Sequence, residues 1–460
     1  MFRKTIAVAV CVSILSAVPL TIAQTNSATS FGVRQFTPPE YVFNPDLPRD
    51  LVGDFGSAGF QVYVDTMAWN AFIALNWPVP KKITERGVPD RLNVIGGWKL
   101  AGEGSSQAMP TGPTVWETFK DTGDIYRPNA EKPSSFDTPE SIPGPCTPLM
   151  AGIEPHHRRT LDMSAKVSDV LREVRQAMTL EPLVDQNSQY VWYEVKVNRA
   201  YYDYVVDNQF YNRNKQEGAV ISFPSSSNTT GRQPVVKVKA AWKILGEQGS
   251  KQPDDPKRFY STYAFIYNST NNTCQKKQVG LVGMHIAMKT GLLPQWMWAT
   301  FEHVDNAPDQ ASVPPPAGSK FNFYNPACPS CPVNTPPNEG TMTPTQVVRL
   351  VPIDSNAASD NADFQTALRA LRPDNVWQYY SLVNAQWGAS TTPGSADLPK
   401  YLANTTLETY LQEAESVNGC INCHGTMASQ TDLDFQLQLK ANPGAATAAK
   451  KILEKFAKYK

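Results

Sequence analysis

The chain has 460 residues, of which 41% are hydrophobic, and its 42 Lys and Arg are balanced by 42 Asp and Glu. That balance leaves no basic footprint for nucleic acid, and the length allows one large domain or two or three smaller ones. Thirty-eight prolines and 27 glycines beside 18 tyrosines and 10 tryptophans predict a loop-rich body with aromatic clusters rather than a helical bundle, and there is no solenoid repeat or heptad run.

In chain order, Arg3 and Lys4 precede an apolar run that ends at Ala23. This is the pattern of a secretory signal peptide over residues 1–23, so the mature chain is expected in the periplasm or outside the cell, where disulfides persist, with no transmembrane segment after cleavage. From Gly59 to Trp77 the residues are apolar on nearly every side, with Val64, Met67, Ala68, Ala71 and Leu75 at helical spacing and Pro78 as the stop, which predicts a buried helix. Between Pro78 and Glu154, Gly, Pro, Thr and Asp predominate and predict long surface loops. Val167, Val170, Leu171, Val174 and Met178 predict a helix over Ser164 to Thr179.

Strands dominate from there to Asn384. They are expected at Tyr190 to Val197, Val220 to Phe223, Val235 to Ile244, Phe259 to Tyr267, Val279 to Met288, Gln295 to His303, Val347 to Pro352 and Trp377 to Val383. Thr290 to Pro294 is short enough to join two of these as a hairpin. The capping box Thr405-x-x-Glu408 opens a further predicted helix carrying Leu407, Tyr410, Leu411, Ala414 and Val417, which Gly419 ends. Leu433, Phe435, Leu437 and Leu439 then alternate, and a lysine-rich amphipathic tail with Ile452, Leu453 and Phe456 reads as a solvated surface helix. The expected class is α+β: a mainly antiparallel β body over residues 24–395 with flanking helices and long loops, then a short helical segment over 396–460.

The residues Cys420-Ile421-Asn422-Cys423-His424 spell C-x-x-C-H, the attachment signature of c-type haem. Two thiols at this spacing reach the two vinyl groups of one porphyrin, and the next residue offers an imidazole to the iron. From composition alone the motif arises by chance in roughly one chain in a thousand. A zinc site would want four converging ligands, and only three are local. One covalent haem c is therefore expected on Cys420 and Cys423, with His424 as proximal iron ligand. Of the other cysteines, Cys146, Cys274, Cys328 and Cys331 remain after processing and allow two bridges in three connectivities. Cys328-Pro-Ser-Cys331 lies in a Pro- and Asn-rich loop, which favours a structural disulfide over a redox pair.

Too little chain follows the motif to supply the opposite axial ligand, and Met427, three residues past His424, is badly placed to cross the haem. Met284, Met288 and Met297 are candidates, but His285 and His303 suit the role better: period-two alternation sets Gly283, His285 and Ala287 on one strand face, and His303 lies beside Glu302 and Asp305. His156 and His157 read as part of a solvated loop rather than a distal acid-base pair, and Trp296 and Trp298 as sheet packing.

Through CINCHG the chain resembles the c-type cytochromes. Its body, in AWNAFIALNWP, GLVGMHIAMKT, QWMWATFEHVDN and the CPSCP loop, is similar to a poorly characterised group of exported bacterial proteins known only as cytochrome c family. The resemblance implies haem binding and electron transfer with unidentified redox partner proteins. It departs from the small cytochromes in placing the motif near the end of the chain. Two functions follow as expectations: an exported monohaem electron carrier, or a haem-dependent oxidoreductase of peroxidase or oxygenase type whose large body builds a substrate pocket.

Overall fold

The computed structural model describes residues 43–52, 59–80, 82–95, 113–127, 130–162, 176, 181–226, 228–229, 231–338, 341–388, 397–412 and 419–441. The expected signal segment, the helix expected over Ser164 to Thr179 apart from Gln176, and the tail beyond Ala441 lie outside these residues.

The chain is α+β. Seven helices are described: α1 (Phe60–Leu75), α2 (Thr122–Ile125), α3 (Arg199–Asp207), α4 (Arg213–Gln216), α5 (Ser355–Leu371), α6 (Cys420–Ala428) and α7 (Phe435–Lys440). Nine strands accompany them: β1 (Lys120–Asp121), β2 (Thr160–Asp162), β3 (Trp192–Val197), β4 (Val235–Ile244), β5 (Ser261–Asn268), β6 (Thr273–Lys289), β7 (Met297–His303), β8 (Tyr380–Gly388) and β9 (Asp397–Leu398). They form one sheet in the order β1-β3-β4-β6-β7-β8-β9, with β5 on β6 and β2 on β5. Every pairing is antiparallel except β2 with β5.

The 17-residue β6 organises the sheet. Its first half pairs with β5 and its second with β7, while β4 runs along its other side from Val279 to Lys289. The β6–β7 hairpin closes through the segment predicted to join them. Successive side chains on a strand point to opposite faces, so each strand divides its residues between two environments. On one face Val236, Val238, Ala240, Met284, Ile286, Met288, Met297, Ala299 and Phe301 join the largest apolar core, which α1 and α5 cover. There the Trp69 ring stacks on Phe364 at 4.9 Å and meets Phe301 edge-on at 5.1 Å. Each such side chain taken fully out of water contributes about 1.5–3 kcal/mol.

Three expectations are corrected. Val220 to Phe223 and Val347 to Pro352 form no strand, because their backbone groups find partners outside any ladder: the Phe223 amide donates to Asp432 Oδ2 at 2.7 Å and the Val347 amide to the Phe323 carbonyl at 2.7 Å. Within the segment expected to be helical, Phe435–Lys440 forms α7, since the Asp434 carboxylate accepts the Leu437 amide and caps a helix there. Thr405 opens no α-helix. Its amide and hydroxyl are both spent on the Glu302 carboxylate at 2.6 Å, and the chain makes a 3-10 turn at Thr409–Leu411 instead.

Candidate functional site

The second sheet face carries the site. Register places Val197, Lys237, Ala287, Trp298 and Gln386 in one cross-strand row and Val195, Lys239, His285, Thr300 and Asn384 in the next. Beyond these, Tyr193, Ala241, Gly283 and Glu302 form a third row. Val197, Ala287 and Trp298 of the first row belong to an apolar cluster with Ile421, Leu433 and Leu437. Tyr193 and Ala241 of the third belong to another, with Leu407. Between them Val195, Lys239 and His285 are half-buried, although their strand neighbours on either side within this face are buried. A partly open seam with two polar side chains therefore lies over β3, β4 and β6 between two small cores.

The helix α6 is docked beside this seam by the central strands. Gly419 lies against Gln386, where a Cβ would meet the amide nitrogen at 2.4 Å and push the Gln386 amide aside. Gln386 Oε1 accepts the Ile421 amide at 2.7 Å, satisfying a helix-start N–H, and Gln386 Nε2 donates to the Pro399 carbonyl at 2.8 Å. Ile421 is fully buried, which turns Cys420 and Cys423 onto a shared half-buried flank, three residues apart. Both thiols are free, whereas Cys146 pairs with Cys274 and Cys328 with Cys331. Burial, helped by the Glu408 carboxylate, pushes both thiols up, Cys423 to about 12, so they stand as neutral thiols.

His424, the next residue, is held on three sides. Its Nδ1–H donates to the Leu433 carbonyl at 2.6 Å, and its ring packs between Trp298 at 4.2 Å and Phe435 at 4.1 Å. This bond fixes the tautomer and leaves Nε2 as the lone-pair nitrogen, the arrangement of a metal-bound imidazole. Burial, reinforced by the Lys237 ammonium, holds its pKa well below the ordinary histidine value, so the ring is neutral. The acceptor carbonyl belongs to an unusual stretch: Asp432 and Leu433 are both left-handed, with φ of 52° and 65°. Each costs on the order of 1–2 kcal/mol relative to the right-handed region.

His285 projects from the seam, and its Nε2 lies 2.8 Å from Glu408 Oε1. Its Nδ1 is buried with no hydrogen-bond partner. Burial pushes the Glu408 carboxyl up, but His285 and Lys239 outweigh that and hold it below its ordinary value. The turn carrying Glu408 is pinned at several points. Glu302 takes both Thr405 donors and Arg349 Nη2, the latter at 2.7 Å, and Asn404 Nδ2 donates to Thr300 Oγ1 at 2.7 Å. Gly283 makes this approach possible, since a Cβ there would meet Thr406 Oγ1 at 2.2 Å.

The remaining sequence candidates lie elsewhere. His303 is fully buried and stacked on Phe259 at 4.2 Å; its Nε2 donates to the Arg258 carbonyl at 2.8 Å and its Nδ1 accepts the Asp305 amide at 3.1 Å. Burial lowers its pKa to about 4. Met284, Met288 and Met297 are in the helix-covered core, on the face opposite His285. His156 and His157 sit half-buried on the short turn Pro155–His157, not in a solvated loop, and their charged neighbours are Arg86, Glu117, Asp137, Glu140 and Glu154, none of which adjoins His424.

Sequence reading missed Lys237, Lys239, Glu408 and Asp434 as members of the site. A signal did exist: VVKVKAAWK sets lysines at period two in an otherwise apolar central strand, and a buried lysine needs a partner. Among the described residues no three His, Cys, Asp or Glu side chains form a ready metal cage, and no helix is long and apolar enough to cross a membrane. No family model, curated protein or solved structure matches the chain.

Proposed function

We propose that this protein is an exported monohaem c-type cytochrome that carries electrons through one haem bound to Cys420 and Cys423, with His424 as proximal ligand. The observation that carries this reading is the state of three consecutive functional groups: two unpaired thiols on one helix turn, followed by an imidazole whose Nδ1–H is committed to a backbone carbonyl. This donor set suits a metal that arrives in its own macrocycle and needs two thioether anchors and one nitrogen from the protein. The half-buried seam beside α6 offers the adjoining polar and apolar surface. Such a group, when bound, supplies one-electron chemistry.

The chain's own residues then have separate tasks. Cys420 and Cys423 hold, His424 ligates, and Trp298, Phe435 and the Leu433 carbonyl fix the plane of its ring. His285 is the residue we assign as the second side chain that would hold the iron. It shares the sheet face of Trp298, whose ring packs on His424, and keeps a buried nitrogen unpartnered, whereas both nitrogens of His303 are engaged. Glu408 orients His285 and compensates the charge of nearby Lys239. A closed iron suits a carrier rather than an oxidoreductase with an open distal side.

Absorption spectra of the ferric and ferrous protein, with and without cyanide or carbon monoxide, test this assignment. A low-spin spectrum indifferent to both ligands is expected, and His285→Ala should convert it to a high-spin, ligand-binding form while His303→Ala leaves it low-spin. A wild-type protein that binds carbon monoxide readily contradicts the carrier reading.

A further inference from the structure

The segment Asp432 to Asp434 is held far more firmly than a six-residue helix start requires. Asp434 Oδ1 accepts the Leu437 amide at 2.8 Å and the Tyr201 hydroxyl at 3.0 Å, and Tyr201 in turn shares a 2.7 Å hydroxyl contact with Tyr126. Asp434 Oδ2 pairs with Lys237 Nζ at 2.6 Å, and both side chains are more than nine-tenths buried. One residue pair away, Asp432 is bound by Lys289 and by the Phe223 amide, and its carbonyl accepts Trp296 Nε1 at 3.1 Å. Trp296 is itself left-handed, with φ of 68°. Three non-glycine residues in this uncommon conformation thus meet at the loop whose Leu433 carbonyl holds His424, with Trp296 bonded to the neighbouring Asp432 carbonyl, and the structure around them over-determines it.

The two lysines come from the sheet, at Lys237 on β4 and Lys289 at the end of β6, so the loop is fastened to the rigid part of the fold. Lys237 Nζ also lies 5.7 Å from the centre of the Trp298 ring, the ring that packs on His424. A buried ion pair rarely adds net stability over apolar replacements, so its presence beside a ligand calls for another use.

We infer that Lys237, acting through Asp434, is a positioning residue for His424: the pair fixes the left-handed loop whose Leu433 carbonyl holds the imidazole, and its internal charge balance sets the reduction potential of iron bound there. This rests on the haem reading given above. Removing one member leaves the other charge beside the ligand. A surplus positive charge favours the ferrous state and a surplus negative charge the ferric state.

Redox titration of the purified holoprotein is the test, with covalent haem first verified in each sample by its pyridine haemochrome. Asp434→Asn should raise the potential and Lys237→Gln should lower it, each changing the ferrous-to-ferric ratio about tenfold at fixed potential, about 59 mV for one electron. Lys237→Arg should restore the wild-type value. Tyr201→Phe, which removes only the uncharged donor to Asp434, should move the potential down by a smaller step and serves where Lys237→Gln does not accumulate. Haem-loaded variants with unshifted potentials, or with shifts of the same sign, overturn this inference alone. A wild-type protein without covalent haem removes the reading on which it rests.

Discussion

The two faces of the central sheet bury their side chains by different physics. Beneath α1 and α5, the strands present Val236, Val238, Met284, Ile286, Met297 and Phe301 to aromatic rings, and stability comes from close packing. The opposite face sinks charges in pairs, Lys237 with Asp434, Lys289 with Asp432 and Arg349 with Glu302, and binds His285 to Glu408 by a hydrogen bond. Alternation along three strands is enough to produce both, since one residue's shift exchanges the environments. The helix-covered face makes the fold hold together. The charged face fixes the position of one turn, one loop and one histidine, which packing by shape alone would leave less defined.

Substitutions on each face should differ in kind as well as size. Trp69→Ala, which removes a ring stacked on Phe364 and a hydrogen bond to Asn361, should lower the unfolding free energy by about 3–5 kcal/mol in a urea titration. A loss below about 1 kcal/mol would mean that this core is loosely packed. On the charged face, Glu302→Leu strands both Thr405 donors, leaves Arg349 to its exposed partner Asp309 and should cost about 3–5 kcal/mol, whereas the double change Glu302→Leu with Arg349→Met should recover part of that. If the double variant is no better than the single one, the pair is not the source of the loss.

The disulfides sharpen the comparison at lower cost. Cys146–Cys274 spans 128 residues and ties the 3-10 segment Gly144–Met150 to β6, so replacing both by Ser should cost about 2–4 kcal/mol. Cys328–Cys331 closes a three-residue separation and should matter much less. Equal midpoints for the two double variants would contradict the loop-length argument.

The helix-covered core also holds a buried carboxyl, on α1. Asp65 is fully buried, and burial, reinforced by Asp360 and Asp354, pushes its carboxyl up to about 8 despite the hydrogen bond from Gln61. Because the folded value lies above the unfolded one, the protonated acid's contribution is fully present below about pH 4 and is lost as pH rises toward about 8, by up to about 1.4 kcal/mol per unit. Asp65→Asn should flatten the fall of stability between pH 5 and 8. An unchanged slope in that variant would place the pH dependence in other groups.

Much of the helix-covered face was legible because it obeys a period. Val235 to Ile244 matches β4 at both ends, Gly59 to Trp77 contains α1, and the Thr290 to Pro294 link closes the β6–β7 hairpin. The helix α5 escaped notice because SNAASDNADFQTALRAL has few apolar residues, and its helix rests on the Asp354 cap and on Phe364 and Leu368 packing. Residues that depart from period mark the other face. Thr405 carries a capping-box signature, yet a buried carboxylate on a distant strand outbids the local amide for its hydroxyl. Cys420, Cys423 and His424 could be read because they are contiguous. Glu408, Lys237 and Asp434 could not, because the site assembles them from three separate segments, and only the alternating lysines of β4 hint at it.

The most direct measurement is acid–acetone extraction of the protein produced in bacteria that attach haem c, followed by the pyridine haemochrome of the polypeptide. The account predicts one haem per chain retained by the wild-type protein and none retained once Cys420 and Cys423 are both replaced by Ser. A wild-type chain that releases its haem, or that carries none while both thiols react freely with a thiol reagent, would contradict it.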